Sequence, residues 1–250
     1  MVLPALLFIK DKPPSPPSVV ATKPRPQYTY RQASKVIFSN KNYIWIFIHF
    51  QLVNTCSVYG GEITTFLKQY PEYDLTTQNV ASMLNCVAGI AGSLALGRIL
   101  DRYRCFRLSM LLQALSVFGF IVATLVLLKA SAPVWLVSSL IVLAGAPMST
   151  ISVSSYQFAA EVTYPVEEVF GVGIMNTANK LFTFGVILLG TYLHEELIIW
   201  AVLSILGVVP ALLVKEDFRR LNMKDVERSR HIEETQILDK TMDEKAELQH

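Results

Sequence analysis

The side chains of this sequence that could do chemistry are ionisable groups set among long apolar segments. They are densest in residues 97–107, where one acid, Asp101, stands among four arginines within eleven residues. Because an arginine at the centre of a membrane helix costs about 2.5 to 3.5 kcal/mol on insertion scales, this stretch cannot lie in hydrocarbon. It is predicted to be a short turn at a membrane surface. Since cytoplasmic loops collect Lys and Arg, that surface is predicted to be cytosolic.

Two interpretations of this turn remain open. It is either an ordinary tight loop on the positive side or a device in which Gly97 allows two helices to approach closely and Asp101 faces a helix N-terminus. Glu161, at the inner end of a later apolar segment, has candidate partners in Arg98 and Arg102. In the second interpretation these side chains form a gate at the cytosolic surface. The predicted gate residues are Gly97, Arg98, Asp101, Arg102 and Glu161.

Asn176 and Lys180 are four residues apart, so they share one face of a predicted helix. At 1.5 Å per residue Lys180 lies roughly 14 Å into a hydrocarbon core about 30 Å thick. A lysine at that depth indicates a functional site by default. The alternative, equally open, is a structural salt bridge to Glu62 or Glu161. In the first case Asn176 and Lys180 line a substrate site.

The second half of the apolar segment 43–67 is unusually polar. Its polar and glycine residues are Asn54, Thr55, Ser57, Tyr59, Gly60, Gly61, Glu62, Thr64 and Thr65. Each glycine weakens a helix by about 1 kcal/mol relative to alanine, and polar groups at membrane depth are tolerated only against protein or water. The pattern predicts a bent or broken helix that lines a cavity. A glycine-rich helix contact with Glu62 near the outer interface is the alternative.

The sequence shows no signature of enzymatic chemistry. No Ser/His/Asp set, phosphate loop or metal cluster stands out, so neither an enzyme nor a cofactor is predicted. The three cysteines, Cys56, Cys86 and Cys105, lack the spacing of a disulfide frame or zinc site. A net charge of +2, without basic and aromatic interleaving, gives no reason to expect nucleic acid as a partner.

The apolar residues, 52% of the 250-residue chain, fall in blocks close to the roughly 20 residues that cross a bilayer. We therefore predict an all-α membrane protein with six transmembrane helices. The predicted spans are 43–67, 78–96, 108–128, 134–160, 171–193 and 197–214. The predicted domains are the end of a truncated helix (1–9), a proline-rich cytosolic linker (10–41), whose basic end is a short amphipathic lead-in, a six-helix bundle (42–216) and a charged cytosolic tail (217–250). Both ends are predicted to be cytosolic, and the plasma membrane is the expected location.

Six helices after a proline-rich linker, with a Gly-x-x-x-Asp-Arg turn between the second and third, resemble the C-terminal half of a major facilitator superfamily transporter. Arg104 stands where the general pattern of that turn prefers glycine. The resemblance implies a carrier built from two six-helix halves. The implied partners are a small-molecule substrate, membrane lipid and a missing N-terminal six-helix half.

A narrower resemblance is to the feline leukaemia virus subgroup C receptor-related transporters. It is carried by residues 8–17 (FIKDKPPSPP), 158–165 (FAAEVTYP) and 218–221 (FRRL). It implies transport of choline, ethanolamine or, for some members, heme. It also implies that Tyr59 matches an aromatic residue on helix 7 and that Lys180 falls at a glutamine position on helix 11, two positions that enclose a quaternary ammonium ligand.

Three functions follow as hypotheses. The first is one half of an alternating-access carrier for a small organic solute, with Tyr59, Asn176 and Lys180 at the substrate. The second is a transport-incompetent fragment or isoform that acts as a subunit or regulator. The third is a proton-coupled carrier that uses Glu62 or Lys180.

Overall fold

The computed structural model describes residues 28–59, 67, 70, 72–193 and 196–216, and within them it contains helices and turns but no strand. The helices are α1 (Tyr30–Ser39), α2 (Lys41–Asn54), α3 (Leu75–Tyr103), α4 (Phe106–Lys129), α5 (Val134–Thr163), α6 (Glu168–Leu193), α7 (Glu196–Leu206) and α8 (Val208–Leu213), with a 3₁₀ turn (Thr55–Val58) directly after α2. The predicted all-α fold is confirmed for this part of the chain.

Four of these helices, α3 to α6, are long and apolar enough to cross a bilayer. They correspond to the predicted spans 78–96, 108–128, 134–160 and 171–193. The first predicted span is α2 followed by the 3₁₀ turn, and the last is a shorter apolar stretch, Leu197–Leu213. The six-helix count is therefore not confirmed by the part of the chain that the structure describes.

Short connections make the successive helices α3, α4 and α5 run in opposite directions. Two residues, Arg104 and Cys105, join α3 to α4, and at the other end of α4 four residues precede α5. We call the first position the Arg104 end of the bundle and the second the Lys129 end. Other elements also meet at the Arg104 end, where α5 finishes. The side-chain amide of Asn40, between α1 and α2, donates to the carbonyl of Val162 over 2.7 Å, and the backbone N–H of Lys215, after α8, donates to Asn42 Oδ1 over 3.2 Å.

The central helix is α5, which packs against α2, α3, α4 and α6. Its buried side chains recur every three to four residues, as expected of an α-helix with one buried face, and Ile141, Ile151 and Phe158 are fully buried. The helix continues through Pro147. Conversely, large apolar residues on α3 such as Met83 and Ile90 are exposed, as expected of a surface that faces lipid or another set of helices.

The segment predicted as linker, 10–41, contains a helix in its last third. Within α1, Ala33 and Ile37 are buried, whereas Arg31 and Lys35 are exposed on the opposite side. The amphipathic lead-in to the first span is therefore a helix of ten residues. The prolines of the linker and residues 217–250 of the tail lie outside the described residues, as do the 8–17 and 218–221 motifs.

Candidate functional site

The first half of the first span is held against α6 by two hydrogen bonds between the helices. At the Arg104 end the hydroxyl of Tyr43 donates to the carbonyl of Gly171 over 2.8 Å, and two turns further Gln51 Nε2 donates to the carbonyl of Met175 over 3.2 Å. Both side chains are buried. Because donors inside a membrane have no water to bind, such bonds between helices fix the relative register of α2 and α6.

A buried polar cluster lies where α2 ends. Asn54 Nδ2 donates to Asn179 Oδ1 over 2.9 Å, and Ser152 Oγ of α5 donates to Asn54 Oδ1 over 3.1 Å. The hydroxyl of Thr55 donates to the carbonyl of Gln51 over 2.7 Å and lies 3.0 Å from the hydroxyl of Thr183. We call this set the Asn54–Asn179 cluster; its members are Gln51, Asn54, Thr55, Ser152, Asn179 and Thr183.

The cluster lies where the backbone changes from an α-helix to a 3₁₀ turn. The α-helical hydrogen bonding of α2 ends at Asn54, and the four residues Thr55–Val58 form the 3₁₀ turn. The irregularity that the glycine-rich sequence predicts thus begins before the glycines. The prediction of a broken helix and its alternative also rest on Gly60, Gly61 and Glu62. These residues lie outside the part of the chain that the structure describes.

Tyr59 is fully buried and packed inside the bundle. Its hydroxyl donates to Thr124 Oγ1 of α4 over 2.9 Å, and its ring meets the ring of Trp200 edge-on, with centroids 5.9 Å apart. These neighbours belong to α4 and α7. In this conformation the ring presents no open face to a ligand.

Asn176 and Lys180 are both exposed on α6, beside the buried Asn179. Among the residues for which side chains are described, Lys180 has no salt-bridge partner, and Glu161 in particular does not pair with it. The structure therefore brings Asn176 and Lys180 together on one face of α6. It does not bring Tyr59 into contact with them.

The predicted gate residues are placed at the Arg104 end. Arg98, Asp101 and Arg102 are exposed in the last two turns of α3, and Glu161 is buried in the last turn of α5. Within the described ranges no ion pair joins Glu161 to Arg98 or Arg102. Likewise, no described atom lies within 4 Å of a Cβ built on Gly97, so the close helix approach expected there is not seen in this part of the chain.

The turn between α3 and α4 is closed by Arg104, which adopts the left-handed conformation with φ of 52°. Its N–H donates to the carbonyl of Leu100 over 2.9 Å, as at a helix C-terminus that glycine often ends. A glycine would adopt this conformation without the steric cost that the Cβ of Arg104 brings.

Sequence reasoning missed several buried polar groups, and His49 and Gln113 are two examples outside the Asn54–Asn179 cluster. His49 of α2 is fully buried; its Nδ1 lies 2.9 Å from the carbonyl of Gly207, between α7 and α8, and therefore donates to it. Gln113 of α4 donates to Thr150 and accepts from Ser154, both on α5. The signal available in the sequence is the isolated histidine or amide within an apolar span.

Within the described residues no group of three His, Cys, Asp or Glu side chains could hold a metal ion. The arrangement offers two sets of polar groups: the buried, mutually bonded side chains of the Asn54–Asn179 cluster, and the exposed amide of Asn176 and ammonium of Lys180 on α6. The exposed pair is accessible for hydrogen bonding, and neither set contains an arranged nucleophile, base or electrophile among the described residues.

The family model described as Major Facilitator Superfamily matches residues 1–186 of the chain. An MFS-type transporter of Caenorhabditis elegans is 25% identical over 95% of this chain. The choline/ethanolamine transporter FLVCR1 of Felis catus and the choline/ethanolamine transporter flvcr2a of Danio rerio are each 25% identical, over 87% and 86% of this chain. The chain spans 42%, 41% and 48% of the length of these three relatives, respectively. It belongs to the major facilitator superfamily and is an integral, multi-pass, all-α membrane protein of a transporter family, not an enzyme.

Proposed function

We propose that this chain is one half of an alternating-access carrier for a small organic cation of the choline or ethanolamine class. The observation that carries the proposal is the similarity, over 86 to 87% of the chain, to two relatives named choline/ethanolamine transporters. The chain spans less than half of those relatives' length, so a second six-helix half would complete the substrate passage. The proposed setting is the plasma membrane, with both ends of the chain in the cytosol.

The exposed face of α6 supports this proposal. Asn176 offers an amide, and Lys180 marks a position at membrane depth that is open on the side away from the bundle core. In an alternating-access carrier the substrate lies near the midplane between two halves, where such a face would look into the passage. Tyr59 is proposed to reach the substrate in another conformation of the carrier, in which its ring would contact a cation.

At the cytosolic surface Gly97, Arg98, Asp101, Arg102 and Glu161 are proposed to act as the gate. Their support is their common location at the Arg104 end, where α3 and α5 both finish. A gate of this kind is expected to exchange ion pairs between conformations, so that Arg98, Asp101 and Arg102 are paired only when the inner side is closed.

A second candidate substrate is an anionic solute such as heme, which carries carboxylates. It is favoured by one observation, the exposed ammonium of Lys180 without a carboxylate partner among the described residues. An ammonium there attracts a carboxylate and repels choline, so the two candidates predict opposite effects of removing the charge.

The test is uptake of labelled choline and ethanolamine by cells that express this chain alone, with a complementary N-terminal half, or with the empty vector. Uptake that requires both halves supports the proposal. Equal background uptake in all three, with the chain at the cell surface, would favour the transport-incompetent alternative. Repeating the assay with labelled heme separates the substrates, and uptake that follows an imposed pH gradient would indicate proton coupling through Glu62 or Lys180.

A further inference from the structure

We propose that the Asn54–Asn179 cluster is a clamp that positions Tyr59. With the clamp closed, the 3₁₀ turn holds Tyr59 inside the bundle; with it open, the turn releases the ring from Thr124 and Trp200. The role in transport rests on the proposed function, whereas the effect on the position of Tyr59 is a property of this chain alone.

The first step of the argument is the location of the cluster. The helix α2 stops at Asn54, and Thr55 begins the 3₁₀ turn, so the two residues on either side of the break both belong to the cluster. Each bonds to α6: Asn54 to Asn179, and Thr55 to Thr183. Asn179 Nδ2 also reaches Thr55 Oγ1 at 3.4 Å and the carbonyl of Gln51 at 3.5 Å. The break is thus held from α6 by side-chain hydrogen bonds.

The second step is the path from the break to Tyr59. Only the 3₁₀ turn separates Asn54 from Tyr59, and within it the thiol of Cys56 donates to the carbonyl of Trp200 over 3.4 Å. The turn therefore points both Cys56 and Tyr59 at α7. A change of backbone at Thr55 would move both contacts together, because no flexible segment lies between them.

The third step is that the clamp is incompletely satisfied as it stands. Gln51 Oε1 is buried and, in the part of the chain that is described, accepts no hydrogen bond. Buried acceptors without a hydrogen-bond donor are uncommon and costly. A rearrangement that gives Gln51 Oε1 a donor would therefore offset part of the free energy that is lost when the cluster bonds break. Hydrogen bonds between membrane helices change an equilibrium by only about 3-fold on average and about 20-fold at most. A few such bonds can hold the clamp without making it permanent.

The test measures the surroundings of Trp200 in the chain with Tyr59 intact. Trp45→Phe and Trp135→Phe leave Trp200 as the only tryptophan, and Trp200 is 2% exposed. In this background Thr55→Val removes the hydroxyl while keeping the shape of the side chain, and Thr55→Ser is the matched control that retains a hydroxyl. Acrylamide quenching of Trp200 in purified protein in detergent is the readout.

We expect Thr55→Val to raise the quenching constant by roughly threefold or more over Thr55→Ser, and Asn179→Leu to raise it by roughly tenfold because it removes bonds to several partners. Gln113→Leu removes an equally buried amide that bonds to α5 and not to the break, and is expected to leave quenching unchanged. Should Thr55→Val fail to fold, Thr183→Val removes the same bond from the side of α6. The proposal would be overturned if the folded Asn179→Leu chain, together with a folded Thr55→Val or Thr183→Val chain, had the same quenching constant as Thr55→Ser.

Uptake measured in the same variants separates the two proposals. Clamp variants that raise quenching and change the maximal uptake rate of the completed carrier support both. Raised quenching in a chain that never transports leaves the clamp standing and removes the proposed function, while normal uptake with unchanged quenching removes the clamp alone.

Discussion

Asn85 of α3 and Gly145 of α5 are in such close backbone contact that a Cβ on Gly145 would overlap the carbonyl oxygen of Asn85. One turn away, Asn85 Nδ2 donates to the carbonyl of Ile141 over 2.6 Å. The contact continues along α3, where a Cβ on Gly92 would lie 2.9 Å from Cα of Ala146. Small residues thus let α3 and α5 approach at the distance typical of close membrane-helix pairs.

Gly145→Ala is therefore expected to destabilise the chain by about 1 to 3 kcal/mol, because the added methyl group meets backbone that cannot move aside easily. The measurement is thermal or denaturant unfolding in detergent. Gly119→Ala on α4 is the control, since no described atom lies within 4 Å of its Cβ position. It is expected to be neutral or stabilising by up to about 1 kcal/mol. Equal effects of the two substitutions would contradict the close contact.

The left-handed backbone at Arg104 leads to a second prediction. A residue other than glycine costs about 1 to 2 kcal/mol in this conformation, so Arg104→Gly is expected to stabilise the chain by up to that amount. Arg102→Gly removes the same charge from a helical position of α3 and is expected to destabilise it by about 1 kcal/mol. Comparing the melting temperatures of the two variants separates the effect of the backbone from the effect of the lost charge. If both substitutions changed the melting temperature in the same direction, the strain at Arg104 would not be supported.

Sequence reasoning succeeded where hydrophobic length decides the outcome. The ends of the four spans that became α3 to α6 agree with the prediction within three residues, except that α3 continues seven residues past the predicted end at 96. The agreement arises because a bilayer crossing needs a long apolar run. Gly89 and Gly92, small residues of the kind that favour close packing of membrane helices, both contact α5. Gly97 is predicted to allow the same kind of approach, but no described neighbour lies within 4 Å of its Cβ position. Spacing along one helix does not reveal where the partner helix crosses.

The environment of Tyr59 could not be predicted for a related reason. Its neighbours Thr124 and Trp200 are 65 and 141 residues away in sequence, and the rotation of a residue after a 3₁₀ turn differs from that on a continued α-helix. Lys180 and Asn176, on the regular helix α6, were correctly predicted to share a face. Helical periodicity thus placed these two residues, whereas the break after Asn54 removed the periodicity on which a prediction for Tyr59 depends.

A third prediction concerns the two helix ends that cap each other at the Arg104 end. Glu216 accepts from the backbone N–H of Arg107 at the start of α4 over 3.1 Å, and Arg107 Nη2 donates to the carbonyl of Leu212 at the end of α8 over 2.7 Å. Arg107→Ala is expected to cost about 0.5 to 1.5 kcal/mol and to accelerate amide hydrogen exchange in the last turn of α8. Arg98→Ala, an exposed arginine of α3, is the control. Unchanged exchange at Val214 would argue against the cap.

Asp74, the N-cap of α3, gives a prediction of pH dependence. The hydroxyl of Thr77 donates to its carboxylate, and this hydrogen bond, with the Thr77 N–H, lowers the pKa of Asp74 in the folded chain. A lowered pKa means that the cap stabilises the fold fully above the unfolded value of about 3.9 and loses this effect as the pH falls through the folded pKa. Melting temperature is expected to fall more steeply below about pH 4 in the wild-type chain than in Asp74→Asn, which keeps an acceptor but does not titrate. Parallel curves would assign the acid sensitivity to other groups.

The charge of Lys180 decides between the two proposed substrate classes. If a cation binds beside the exposed face of α6, an ammonium within about 6 Å repels it, and Lys180→Gln is expected to lower the half-saturating choline concentration by on the order of tenfold to a hundredfold. Lys180→Arg retains the charge and Lys129→Gln removes one at the Lys129 end, so neither is expected to change it. The measurement is concentration-dependent uptake by the chain co-expressed with its N-terminal half. A loss of affinity in Lys180→Gln, with Lys180→Arg intact, would instead identify Lys180 as the partner of an anionic group on the substrate.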